Sequence, residues 1–121
     1  MASYHDVVLA VAPEATDSFY ALLSTDESLF SMVRAGSDNF DTSQFRKGDL
    51  LIQWYEVKWH NGFDEVVKIY KWMEAQAPEN YRFLRVGEDR NDNEEHGDYA
   101  WDYLEISKPQ IELNFPAVVD D

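Results

Sequence analysis

Residues 86 to 105 read VGEDRNDNEEHGDYAWDYLE and carry eight carboxylates, Glu88, Asp89, Asp92, Glu94, Glu95, Asp98, Asp102 and Glu105, against the single cation Arg90. Within this stretch, Asp89-Arg90-Asn91-Asp92-Asn93 places oxygen ligands at positions 1, 3 and 5, as a calcium-binding EF-hand loop does. The match stops there. Position 6, which needs glycine, is Glu94, and position 12, which needs a bidentate glutamate, is Ala100. The flanking pattern is that of strands rather than helices, so the plainer account of residues 88 to 97 is a solvated acidic loop.

Other chemistries fare worse. His5, His60 and His96 lie far apart, with no HxH or HxxxH spacing to set two imidazoles on a metal. Glu94, Glu95, His96 and Asp98 are near neighbours on one loop, and such residues rarely converge on a cation. There is no cysteine, hence no disulfide, thiolate ligand or cysteine nucleophile. No GxSxG or SxxK motif activates a serine, and the glycines are isolated turn residues rather than a phosphate cradle. Carboxylate pairs abound in any acidic chain and so carry no signal. The reading is a non-enzymatic protein with no catalytic residue, cofactor or metal.

The charge itself asks for an explanation. Acidic residues number 24 against 10 basic ones, a formal charge of −14 on 121 residues, yet 15% of the residues are aromatic. Disordered acidic tails are poor in aromatic side chains. A compact domain carrying this much like charge is destabilised by its own repulsion, so the surface is expected to be the working part and its partner to be basic. The same charge repels nucleic acid and anionic lipid, so neither is expected to bind directly. No apolar run approaches the roughly 20 residues that span a bilayer, and the N-terminus lacks the basic leader of a signal peptide. A soluble protein of the cytoplasm is expected, the host's cytoplasm if the chain is phage-encoded.

The elements that must position these residues follow from periodicity. His5 to Ala12 reads as a buried strand stopped by Pro13, which opens a helix presenting Phe19, Leu22 and Leu23. Ser24 or Thr25 caps a second helix, Asp26 to Ala35. Ser37 to Gly48 reads as a loop pinned by Phe40 and Phe45. Asp49 to Trp59 is a strand. Phe63 to Ala77 has the best helical period, with Phe63, Val66, Val67, Tyr70, Met73 and Ala77 on one face. Tyr81 to Val86 and Asp98 to Ser107 alternate as strands, the second with Tyr99, Trp101 and Tyr103 on one parity. Ile111 to Phe115 forms a last short strand. The fold class is α+β: an antiparallel or mixed sheet of about four to five strands with two to three helices on one face. Residues 1–116 are expected to form one domain, and 117–121 a frayed acidic tail.

Strand residues at i and i+2 stand roughly 6.6 Å apart and helix residues at i and i+4 about 6 Å, near the interval between successive phosphates. Asp98, Asp102 and the loop carboxylates Glu88, Asp89, Asp92, Glu94 and Glu95 are therefore the candidate partner-binding row. Trp72 falls off the main apolar face of its helix. It reads equally as an exposed interface anchor or as a residue covered by a wide helical face. In size, acidic excess, lack of cysteine and aromatic-rich α+β character, the chain resembles the small phage proteins that disable host defence. These are the DNA mimics that block restriction enzymes and the anti-CRISPR proteins that fill DNA-binding clefts. The resemblance implies an inhibitor that occupies the basic surface of a nucleic-acid-binding protein, without cofactor or catalysis. The alternative is an acidic accessory domain that binds a protein partner without mimicry.

Overall fold

The run HDVVLAV forms strand β1, His5–Val11, and its alternation sets up the whole molecule. Val7, Leu9 and Val11 join one apolar cluster, and Val8 and Ala10 join another on the opposite side. A strand buried on both faces needs a layer on each, and the chain supplies both. The structure is a computed structural model that describes residues 4–87, 92–107 and 110–113.

After β1 come a short 3₁₀ turn, Pro13–Ala15, and helix α1, Thr16–Leu23. Helix α2, Glu27–Arg34, follows. Its N-cap is Asp26, whose Oδ1 accepts the Ser28 and Leu29 N–H groups at 2.9 and 3.3 Å. Ser24 and Thr25, the expected caps, instead turn back onto the carbonyls of Ala21 and Leu22 at the end of α1. Strand β2, Asn39–Thr42, lies within the expected loop, and β3 spans Leu50–Val57. Helix α3, Asp64–Glu74, precedes β4, Tyr81–Gly87. Strand β5, Asn93–Gly97, is followed by a 3₁₀ turn at Trp101–Tyr103 and the hairpin strands β6, Leu104–Ser107, and β7, Gln110–Leu113.

Among the described residues the fold is α+β, with three helices and a five-stranded sheet ordered β2-β3-β1-β4-β5, every pair antiparallel. The helices pack on the face carrying Leu9, Ile52, Trp54 and Phe83, where Phe19, Leu29, Ile69, Trp72 and Met73 meet them. Trp54 Nε1 donates to the Met32 carbonyl at 3.1 Å and so ties α2 to β3. On the other face Tyr99, Leu104 and Ile111 cover Val8, Ala10, Leu51 and Leu84.

Three further expectations are corrected. Residues 98–107 do not extend the main sheet. Ala100 adopts a left-handed conformation (φ 55°), the chain makes a 3₁₀ turn, and only 104–107 is a strand, paired with β7 in a separate two-stranded sheet. As a result Tyr99 is buried while Trp101, of the same parity, is 61% exposed. The second correction concerns 93–97, expected in a loop. This stretch is a sheet strand with no apolar side chain, so apolar alternation cannot reveal it. Its end needs Gly97, at φ 78°, because a Cβ there would stand 2.1 Å from the Tyr81 carbonyl oxygen. The third is Phe63, expected to face the core. It precedes α3 as its N-cap and is 45% exposed. Residues 114–121, including the expected tail and the end of the last strand, lie outside the described residues.

Candidate functional site

The β4–β5 register sets Arg85 opposite Glu94, Phe83 opposite His96 and Leu84 opposite Glu95. With the period of two along a strand, Glu94 and His96 join Arg85 and Phe83 on the helix side, and Glu95 falls on the side of Leu84. Three of the expected partner-binding carboxylates therefore meet arginines of their own chain. Arg85 Nη2 lies 2.9 Å from Asp92 Oδ1 and 2.8 Å from Glu94 Oε1. Arg82 Nη2 reaches Glu95 Oε2 at 3.2 Å, while its Nη1 and Nε donate to the carbonyls of Gly97 and Leu104 at 2.8 and 3.1 Å. Arg82 thus fastens both β5 and the hairpin to β4.

Around Arg85 the network extends to His5, Tyr70 and His96. His5, 3% exposed, places Nε2 2.8 Å from both Asp92 Oδ2 and Arg85 Nη1. One ring nitrogen cannot donate to the carboxylate and accept from the guanidinium together. Burial pushes the Asp92 carboxyl up, but the His5 hydrogen bond and the charge of Arg85 outweigh it and hold the group below its ordinary value. Tyr70 Oη donates to Glu94 Oε2 at 3.0 Å and accepts from Trp59 Nε1 at 3.3 Å. Burial pushes its phenol up to about 12, Trp59 opposing and the Glu94 charge adding. His96 Nε2 sits 2.9 Å from the same Glu94 oxygen. With His60 and Asn61, most of these groups line a pocket of about 260 Å³.

What this pocket can do chemically is limited. Its one guanidinium already faces two carboxylates, so it is a poor anion site. Tyr70 stays protonated at neutral pH. No group of three or more His, Asp or Glu side chains able to hold a metal ion occurs among the described residues. The fold gathers histidines that the sequence scatters, and their arrangement serves to tie β5 to the core.

The remaining expected site residues divide. Asp98 is exposed. Trp72 is buried, its ring 5.1 Å edge-on from Phe19 and its Nε1 donating to Ser18 Oγ at 2.8 Å, so it is a core residue and not an exposed anchor. Glu88 and Asp89 lie outside the described residues, as does the side chain of Asp102.

A second acidic grouping escaped the sequence reading. On β3, Tyr55 points away from the helices and is 42% exposed, its hydroxyl donating to Gln53. Burial raises its phenol pKa, and the charges of Asp6, Asp38 and Asp41 raise it further. Strand β1, the segment before β2 and β2 itself thus each bring a carboxylate to one aromatic ring. Asp38 Oδ2 accepts the Tyr55 N–H at 2.6 Å, and Asp6 Oδ1 accepts that of Glu56 at 3.0 Å. These residues are spread over fifty positions, and only strand pairing unites them.

A third polar centre is structural. Asp49, 2% exposed, accepts the N–H groups of Gln44, Phe45 and Arg46 and the Tyr99 hydroxyl, the last at 2.6 Å. It locks the loop before β3 onto the face opposite the helices. Comparisons with family models, curated proteins and solved structures found no match to this chain.

Proposed function

We propose that the protein is a non-enzymatic acidic binding protein that inhibits a nucleic-acid-binding partner by occupying its basic surface in place of nucleic acid. The observation that carries this reading is that exposed carboxylates outnumber exposed cations. Arg82 and Arg85 are turned into the fold, Arg46 and Lys68 are paired with Glu14 and Asp26, and Arg34, Lys47, Lys58 and Lys71 remain on the surface. The exposed carboxylates Asp17, Glu27, Asp38, Glu56, Asp64, Glu74, Glu79 and Asp98 therefore dominate the field outside the molecule. A field of one sign steers oppositely charged partners and gains from released counterions, as DNA does.

The docking row differs from the one expected. Asp92 and Glu94 serve the fold, so the working carboxylates are those around Tyr55, together with Asp98 and the outer part of Glu95. No helix among the described residues is long and apolar enough to cross a membrane.

The test is recovery of a partner from bacterial lysate on immobilised protein, followed by competition with duplex DNA or guide RNA. Release of the captured protein by nucleic acid supports the reading. Retention under saturating nucleic acid favours an accessory domain that binds without mimicry.

A further inference from the structure

Two residues along β1 from Val8, beyond the part of the sheet that Tyr99 and Leu104 cover, the strands leave a concavity. Tyr4, His5, Asp6, Glu56, Val86 and Gly87 line a pocket of about 500 Å³. A bulge makes it: His5 pairs with Val57 and Val7 with Trp54, so Tyr55 and Glu56 together oppose Asp6. Glu56 takes a left-handed conformation there (φ 51°), and its N–H is held by Asp6.

The lining is mixed. Val86 and the ring of Tyr4 are apolar, while Asp6 and Glu56 bring two carboxylates that form no ion pair among the described residues. His5 lies at the same end of the strands, almost wholly buried, with its Nε2 turned to Asp92 and Arg85.

We propose that this pocket receives an arginine side chain of the basic partner. The inference rests on the reading above and says where that partner enters. The aliphatic stem would lie against Val86 and the Tyr4 ring, as long cationic side chains do on apolar surface. The guanidinium, with five donors in a fixed plane, would span Asp6 and Glu56. Lysine, a compact point charge, matches two separated carboxylates less well. Asp38 and Asp41, beside Tyr55, add attraction at longer range.

The experiment is a titration of isotope-labelled protein with an acetylated arginine–glycine repeat peptide, read by NMR at about 50 mM salt. Three forms are compared: the wild type, Asp6→Asn with Glu56→Gln, and Asp17→Asn with Glu27→Gln. Both pairs remove the same charge, and the asparagine at 6 keeps an acceptor for the Glu56 N–H. The expected result is shifts centred on Tyr4, Asp6, Glu56 and Gly87. Affinity should fall about tenfold in the first pair, as loss of a charge-assisted hydrogen bond predicts, and less than about twofold in the second. The single change Glu56→Gln, with an unchanged melting temperature, should give part of that loss. Equal weakening by both pairs, with shifts spread elsewhere, overturns the pocket and leaves the basic-partner reading standing. Equal affinity for a lysine–glycine peptide overturns the arginine assignment. No binding by the wild type overturns the basic-partner reading, and the pocket with it.

Discussion

Glu94 Oε1 lies 2.8 Å from Arg85 Nη2, its direct partner across the β4–β5 ladder. That pairing gives a carboxylate from the most acidic stretch of the chain a role in the fold. Replacing Arg85 by methionine leaves Asp92 and Glu94 facing each other, and Asp92 facing His5, without a cation. Breaking a fully buried pair costs roughly 3–5 kcal/mol, but Asp92 is partly exposed and solvent screens it, so a loss of about 2 kcal/mol is expected. Urea unfolding measures the loss, and hydrogen exchange should place it at the amides of residues 93–97. Charge reversal of Asp92, Glu94, Glu95 and Asp98 together should likewise unfold β5, whereas Asp98→Lys alone should leave the fold intact.

Phe63, expected in the core, is exposed, and Trp72, which reads equally as anchor or covered residue, is buried. Trp72→Ala removes a buried ring stacked edge-on against Phe19 and its hydrogen bond to Ser18, so it should cost about 3–5 kcal/mol in chemical denaturation. Phe63→Ala, at an exposed helix cap, should stay within about 1 kcal/mol. The reverse order would mean that α3 packs on a different face.

Alkaline stability should report the buried Tyr99 and the half-buried Tyr70. The Tyr99 hydroxyl is raised by burial first and then by its hydrogen bond to, and the charge of, Asp49; Tyr70 is raised to about 12. A folded pKa above the unfolded value of 10.0 contributes stability that is whole below that pH. It is lost as pH rises through the folded value. Denaturant midpoints should therefore hold steady up to about pH 10 and fall beyond it. Tyr99→Phe should lower the neutral-pH unfolding free energy by about 1–2 kcal/mol, because Asp49 loses a donor, and should shrink the alkaline fall. An alkaline fall of unchanged size would remove Tyr99 from this role.

The sequence exposes elements that bury apolar residues at a fixed period. The β1, β3, β4 and α3 patterns, with their Pro and Gly boundaries, lead to the α+β class with helices on one face. It hides elements held by charge and backbone alone. β5 reads as an acidic loop because Asn93, Glu94, Glu95 and His96 offer no alternation, and its partners Arg82 and Arg85 are themselves read as strand positions. In 98–103 the alternation is present but misleads, because the bond from Tyr99 to Asp49 and the left-handed Ala100 turn the chain. The candidate site was half legible. The acidic surplus is plain in the composition, while the grouping of Asp6, Asp38 and Asp41 about Tyr55 exists only after strands pair.

The central claim is that surface carboxylates hold a basic partner where nucleic acid would otherwise sit. Its most direct measurement is the dissociation constant for the recovered partner at about 50 and about 300 mM salt. It is taken for the wild type and for a variant with Asp38, Asp41 and Asp98 changed to asparagine. The account predicts at least about tenfold weakening at the higher salt for the wild type and a shallower slope for the variant, as counterion release requires. A flat salt response, equal in both proteins, would contradict it.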